Sequence, residues 1–279
     1  MPDQAEKLRQ LVRGAAAADA APSTTPRMLL VVSAKGGVGT TTVAIQLAAA
    51  LADLGRGSVL VDADLGKADA TSLLGLAPRK GLEALLEGGS SIEQVLVAAT
   101  ERFQILPAAW AASQPCPLTL SAGRRLISEL GRLPPDAGWI VVDGGSRRSP
   151  LHDHLWHQAS RVLMVTTTDD VAVMDSYARI KSLAGTGAAV PVGTLVNRAE
   201  QTSLALEVQS RLEQSCRRFL GLTIDAAGHM PAWPALQPAE GHRGGLPSCE
   251  PAVTRLFSRL AGRLAEGPKG SLAARSAAA

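Results

Sequence analysis

Ser33-Ala34-Lys35-Gly36-Gly37-Val38-Gly39-Thr40-Thr41-Thr42 stands between two runs of different character. Before it comes Met28-Leu29-Leu30-Val31-Val32, apolar and branch-rich; after it comes Val43-Ala44-Ile45-Gln46-Leu47-Ala48-Ala49-Ala50-Leu51-Ala52, apolar at helical spacing. Strand, glycine turn and helix in that order are the context a phosphate-binding loop requires. The glycines let backbone amides close around an anion, and the helix start adds unpaired N–H groups and a positive dipole end. A glycine turn without a ligand would explain the glycines but not the strand and helix on either side. Residues Gly36 to Thr42 are therefore the candidate phosphate-binding segment. In the ordinary Gly-x-x-x-x-Gly-Lys-[Ser/Thr] form, Ala34 would be the first glycine and Thr40 the lysine. That lysine is the cation that meets the β- and γ-phosphates. Thr41 remains as a hydroxyl for Mg²⁺, and Lys35 is the lysine that stays.

From Pro26 onward strand patterns alternate with helix patterns. Strands are expected at Ser58–Asp62, Phe103–Leu106, Trp139–Asp143, Val162–Thr166, Val192–Asn197 and Phe219–Ile224. Helices are expected at Leu82–Leu86, Ile92–Ala99, Ala122–Leu133, Val171–Leu183, Leu204–Cys216 and Pro251–Leu264. Near-continuous apolar strands in such alternation imply a doubly wound α/β domain with a mostly parallel sheet buried on both faces, of the P-loop NTPase type. In such sheets ligands bind at the carboxyl ends of the strands, and three of those ends carry polar groups. Asp62-Ala63-Asp64-Leu65-Gly66 ends the second strand, where a carboxylate can orient a water or hold Mg²⁺. Asp143 ends an apolar strand as a Walker B acid should. Val196-Asn197-Arg198 presents an amide whose donor and acceptor suit an adenine edge. Asp and Asn are also ordinary turn residues at such places.

The loop resembles the deviant Walker A motif of the MinD/ParA family, Lys-Gly-Gly-x-Gly-Lys-[Ser/Thr]. The resemblance implies that Lys35 reaches across an ATP-bound homodimer to the partner's phosphates, with ATP and Mg²⁺ as cofactors. It further implies that Asp64 handles the attacking water, that Thr41, Asp62 and Asp143 serve the metal, and that Asn197 and the later Met230-Pro231 loop meet the base. Thr167 to Tyr177 is similar to the family's Thr-Pro-Glu-x-x-x-x-x-Asp-Ala-Tyr element. Two features depart from the family besides Thr40. Asp143-Gly144-Gly145-Ser146-Arg147-Arg148 replaces the usual Asp-x-x-Ala-Gly switch II, and Trp233-Pro234 follows Met230-Pro231 where an acid is usual. Arg147 or Arg148 could substitute for the missing lysine or be a solvated pair.

Residues 3–13 place Ala5, Leu8, Leu11 and Val12 on one helical face, and so short a helix needs a surface to lie on. Asp3-Gln4-Ala5-x-x-Leu8-Arg9 resembles the N-terminal segment of the flagellar-number regulators FlhG, FleN and YlxH, which implies an FlhF-like signal-recognition-type GTPase as a partner for Asp3–Arg13. The organisation expected is a partner-binding helix at 1–13, a linker at 14–26, the nucleotide-binding domain at 27–266 and a disordered tail at 267–279.

The chain has 279 residues, a net charge of +3 and 3% aromatic residues. Such a charge is too mild to argue for nucleic acid, and no aromatics interleave the basic residues. The cysteines, Cys116, Cys216 and Cys249, are odd in number and far apart, which fits a reducing compartment. With neither an export signal nor a spanning segment, a cytoplasmic location is expected, with peripheral contact at the inner membrane or a pole. The last helix, with Arg255, Arg259 and Arg263 opposite its apolar face, fits either a membrane surface or the sheet. His152, His154 and His157 could form a zinc site, although a polar, partly exposed helix start explains them as well. The function expected is an ATP-binding switch that regulates flagellar number or placement, with slow hydrolysis. The alternative is a hydrolysis-deficient polar scaffold for pilus or cellulose machinery, similar to TadZ, CpaE or BcsQ proteins, whose loops lack the later lysine.

Overall fold

A computed structural model describes residues 26–55, 57–65, 67–108, 118–134, 136–185, 190–232 and 250–266. Asp3–Arg13, the linker up to residue 25, the 267–279 tail and Trp233-Pro234 lie outside the described residues. The chain runs β1 (Arg27–Ser33), α1 (Thr40–Asp53), β2 (Ser58–Asp62), α2 (Asp69–Leu73), α3 (Leu82–Glu87) and α4 (Ile92–Val95). It continues through β3 (Val97–Ala98), β4 (Phe103–Leu106), α5 (Leu120–Leu130), β5 (Trp139–Asp143), α6 (Pro150–Gln158) and β6 (Arg161–Thr166). It closes with α7 (Asp170–Ala184), β7 (Val192–Val196), α8 (Thr202–Leu220), β8 (Asp225–His229) and α9 (Pro251–Glu266).

The strands form one sheet in the order β3-β4-β2-β5-β1-β6-β7-β8. Every pairing is parallel except β3 with β4. The chain leaves β1 toward β2, returns as β5 at the near side of β1, then moves off through β6 on its far side. The strand order therefore reverses at β1, which opens a crevice above its carboxyl end.

Successive residues of β1 go to opposite faces of the sheet, as the period of two requires. Leu30 and Val32 pack with Leu126, Leu151, Leu155 and Ile180 of the helices α5 to α7. Leu29 and Val31 pack with Val43, Ile45, Leu47 and Leu51 of α1 and with Phe257 and Leu260 of α9. From Val43 to Ala52 every residue of α1 is buried, because α9 covers the side that the sheet does not. The alanines of this helix let both neighbours approach closely. Since Val253, Phe257, Leu260 and Leu264 are all buried, α9 covers the domain and has no apolar face left for a membrane. No helix among the described residues is long and apolar enough to cross one.

Two expected elements differ. The helix expected over Ile92–Ala99 stops at Val95, because Leu96 turns extended and Val97–Ala98 pair antiparallel with Ile105 and Gln104 at the sheet edge. The strand expected at Phe219–Ile224 is displaced to Asp225–His229. Phe219 and Leu220 instead complete α8, which Gly221 ends in the left-handed conformation. Asp225-Ala226-Ala227-Gly228-His229 carries no branched or aromatic residue and forms a strand only by pairing with β7. Arg263 of α9 then donates to the carbonyls of Ala226 and Ala227 at 2.9 and 3.0 Å.

Candidate functional site

The loop between β1 and α1 bends through left-handed glycines, Gly37 at φ 80° and Gly39 at φ 91°. It bounds a cleft of ≈ 310 Å³ at the carboxyl end of the sheet. Gly36, Gly37, Gly39, Thr40, Thr41 and Thr42 line one wall; Asp64, Lys67, Gly145, Ser146 and Arg198 are on the others. Lys35, Val38, Asp62, Asp143, Asn197, Met230 and Pro231 stand outside that lining.

Thr40 is turned back under the loop. Its hydroxyl donates to Ser33 Oγ at 2.7 Å, and Ser33 Oγ donates to the Lys35 carbonyl at 3.0 Å. The group that replaces the usual lysine therefore staples the loop to the end of β1. Lys35 lies outward, its Nζ 2.7 Å from Asp169 Oδ2, with both side chains about half exposed at 44% and 48%. Lys35 and the Ala172 amide, which Asp169 caps at the start of α7, hold that carboxyl below its usual range.

Asn197 is buried below the loop and donates Nδ2 to the Val38 carbonyl at 2.8 Å, while its Oδ1 has no hydrogen-bond partner among the described residues. A Cβ on Gly39 would stand 2.4 Å from that Nδ2, so only glycine fits there. Met230 is a core residue on the α1 side of the sheet, exchanging main-chain hydrogen bonds with Val196 and Ala199.

Asp62 and Asp143 end adjacent strands in register with one another, and both are fully buried. Asp62 Oδ2 accepts from the Thr71 amide and hydroxyl at 2.9 and 2.6 Å. Asp143 Oδ1 accepts from the Gly145 amide at 3.1 Å. Burial pushes Asp62 up to about 6, opposed by Thr71 and helped by Asp64. Burial likewise pushes Asp143 up to about 7, with Asp62 adding and the Thr41 hydroxyl opposing. Asp64 comes down on switch II, where a Cβ at Gly145 would fall 2.3 Å from its Oδ2. Among the described residues Asp62 Oδ1 and Asp143 Oδ2 are buried and make no hydrogen bond of ordinary geometry. Neighbouring carboxylates raised in this way are what a divalent cation relieves, so Thr41, Asp62 and Asp143 fit Mg²⁺.

Arg147 and Arg148 are exposed and stay out of the cleft, Arg148 lying 3.5 Å from Asp153. The basic residues that do line the cleft are Lys67 and Arg198. Among the described residues no three His, Cys, Asp or Glu side chains are grouped to hold a metal by themselves, which leaves the histidines without a zinc site. His152 is buried rather than partly exposed. Its Nδ1 shares a hydrogen bond of 2.7 Å with Ser149 Oγ, and burial takes its pKa down to about 4. Two residues at the loop were not legible as site residues, Asp169 and the buried Arg179. A charge on the inward face that Val173, Ser176, Ile180 and Leu183 define was the available signal for Arg179.

A parallel sheet with this loop at the reversal of its strand order defines a P-loop NTPase, and the retained Lys35 makes its loop the deviant kind. A family profile described as ParA, NUBPL iron-transfer P-loop NTPase, matches residues 24–92. The antiactivator FleN of Pseudomonas aeruginosa is 31% identical over 205 residues, 74% of this chain and 73% of that one. The flagellum site-determining protein YlxH of Helicobacter pylori is 26% identical over 158 residues, 56% of this chain and 53% of that one. In structure, the cell division ATPase MinD of Pyrococcus furiosus superposes with a TM-score of 0.67 at 22% identity, covering 87% of this chain and 99% of that one. The chain belongs to the MinD/ParA family of P-loop NTPases.

Proposed function

We propose that this chain is an ATP-operated switch that regulates the number or placement of flagella. The observation that carries the reading is the match to FleN across most of both chains, on a loop that keeps Lys35 and loses the later lysine. The site-determining role of YlxH supports the same reading. In it, the amides of Gly36 to Thr42 hold the phosphates of ATP. Asn197 has its NH₂ committed to Val38, so its reading of adenine requires the buried Oδ1 to be uncovered to accept from the exocyclic amine, with Met230-Pro231 near the base. Thr41, Asp62 and Asp143 hold Mg²⁺, which when bound neutralises charge on the β- and γ-phosphates. Lys35 leaves Asp169 and meets the phosphates of a second copy, so ATP favours a face-to-face dimer. Asp64, on the cleft wall, orients the attacking water and accepts its proton. Asp3–Arg13 docks an FlhF-like GTPase.

Thr40 favours a second reading of the same site. Its hydroxyl is spent on Ser33 and supplies no cation, so ATP would be held and the dimer formed with little turnover, as in a polar scaffold. Sedimentation velocity with ATP and Mg²⁺ tests the switch itself. Wild type is expected to shift from monomer to dimer, and Lys35→Ala to bind nucleotide yet remain monomeric. A Lys35→Ala dimer as strong as wild type removes Lys35 from the mechanism, and a wild type that binds no ATP refutes the switch. Single-turnover hydrolysis then separates the two readings.

A further inference from the structure

Arg179 is a cation on a face of α7 that is otherwise built to be buried, and it is itself only 6% exposed. Its guanidinium donates to three main-chain carbonyls. One belongs to Ser33, the last residue of β1; the others are Ser146 at 3.1 Å and Arg147 at 3.3 Å, in the switch II loop. Among the described residues its Nε finds no hydrogen-bond partner. No carboxylate among the described residues forms an ion pair with it; burial and Arg148 weigh against its charge, and Asp153, which opposes them, already lies beside Arg148. A guanidinium buried among carbonyls without a counter-ion is costly to keep, and an apolar side chain would fill the seam between α7 and the sheet without that cost.

What the charge does is visible in the loop it holds. The Gly144 amide donates to the Val31 carbonyl and the Ser33 amide to the Gly145 carbonyl, both at 2.9 Å, which extends the sheet by two residues. Beyond Gly145 the main chain leaves the sheet, and there the Arg179 guanidinium takes over at Ser146 and Arg147. Two residues later Ser149 caps α6 through the His152 amide. Ser33 carries the Thr40 hydroxyl on its side chain and Arg179 on its carbonyl, while Ser146 lines the cleft itself. One guanidinium thus joins the root of the phosphate loop to the segment that leads into α6.

We propose that Arg179 is a positioning residue that ties the switch II loop to the root of the phosphate loop, so that nucleotide in the cleft orders Ser146 to Ser149 and the start of α6. It touches no nucleotide. The proposal rests on the cleft being an ATP site, and the experiment keeps the two apart.

Hydrogen–deuterium exchange of the full chain, with and without ATP and Mg²⁺, reads both segments at once. In wild type, ATP is expected to slow exchange in residues 36–42 and in residues 144–149. Arg179→Met keeps the first response and loses about ten-fold or more of the second, the scale set by hydrogen bonds from a charged donor. ATP affinity, titrated separately, is expected to fall by less than the 144–149 response, because Thr40 on Ser33 and Asn197 on Val38 still hold the phosphate loop. Arg179→Lys recovers part of the second response, since an ammonium still reaches some of the carbonyls; a core residue of purely structural value would not be rescued by charge in this way. Should Arg179→Met not fold, Arg179→Lys carries the comparison, and its 144–149 response must fall below that of wild type while the 36–42 response is kept. A 144–149 response equal to wild type in a folded variant overturns the proposal. No ATP response at 36–42 in wild type overturns the ATP site instead.

Discussion

Thr40→Lys returns an ammonium to the place from which a P-loop lysine meets the β- and γ-phosphates, and the structure sets both sides of its effect. On the cost side, Thr40 is buried and its hydroxyl donates to Ser33 Oγ at 2.7 Å. Losing a neutral buried hydrogen bond costs about 0.5–1.5 kcal/mol. Ser33 Oγ keeps its bond to the Lys35 carbonyl, and the new side chain has a cleft of ≈ 310 Å³ to extend into, with Asp64 on its wall. The Tm of the free protein should therefore fall by only about 1–6 °C. On the gain side, a hydrogen bond to a charged group is worth about 1.5–3 kcal/mol, which tightens ATP by about ten- to a hundred-fold. Charge develops on the phosphoryl oxygens as the bond to the leaving group breaks, so the rate should gain more than affinity, by about a hundred- to a thousand-fold. Equilibrium titration with a fluorescent ATP analogue measures the first effect and single-turnover phosphate release the second. If wild type hydrolyses ATP as fast as the variant, another cation already fills the role. Lys67 and Arg198, which line the cleft, would then be the groups to mutate, ahead of the exposed Arg147 and Arg148. If Thr40→Lys binds more tightly yet stays inert, the altered switch II is a second defect and the scaffold reading gains.

Gly39→Ala should destabilise the protein by about 2–4 kcal/mol, since it puts a side chain in the left-handed region and drives Asn197 off the Val38 carbonyl. A Tm within about 2 °C of wild type would show that the loop relaxes around the methyl group. The stability of the free protein should also depend on pH through the buried carboxylates. Asp62 and Asp143 have folded pKa values of about 6 and about 7, above the ordinary 3.8, so the folded state holds protons that the unfolded chain releases. Their contribution is full below about pH 4 and is lost as pH rises through about 6 to 7. His152, taken down from 6.5 to about 4, works in the opposite direction below 6.5. The carboxylates are therefore read cleanly from about pH 6.5 to 7.5, where the urea midpoint of the free protein should fall and Asp143→Asn should flatten the slope. A midpoint that rises across that window in the free protein would refute the assignment, and Mg²⁺ affinity should rise with pH there because the metal needs ionised carboxylates.

The central architecture was legible because it rests on local patterns. Branched runs such as Leu29-Leu30-Val31-Val32 announce buried strands, and Asp62, Asp143 and Asn197 stand at strand ends, where the fold collects them at one edge of the sheet. What was not legible depends on which groups meet across the chain. Asp225–His229 has no strand composition and takes its conformation from β7, while Val97–Ala98 leaves its helix for an edge pairing with β4. The same holds within the site. Asn197 suggested an exposed amide, yet half of it is spent on Val38. Thr40 suggested a lost contact to phosphate, and the structure adds a gained one to Ser33.

Helix α7 carries this argument furthest. Its sequence shows a helix, but its place in the fold gives it two holds on the phosphate loop. Asp169 at its cap pairs with Lys35, and Arg179, farther along, reaches the carbonyl of Ser33. The two holds differ in kind. The first joins half-exposed groups that water competes for, so it is weak and sensitive to salt. The second is buried at the Ser33 carbonyl and part-buried at Ser146 and Arg147, and breaking it would leave a buried guanidinium and the Ser33 carbonyl short of partners. A switch that sends Lys35 to a second copy must therefore release the weak hold and keep the strong one. Moving Lys35 costs little and leaves the loop, Ser33 and switch II in register. On the proposed reading the same division leaves Lys35 able to exchange partners on a loop whose root is fixed: the lysine extends from the exposed bend, whereas Thr40, Asn197 and Arg179 fasten the backbone on either side of it.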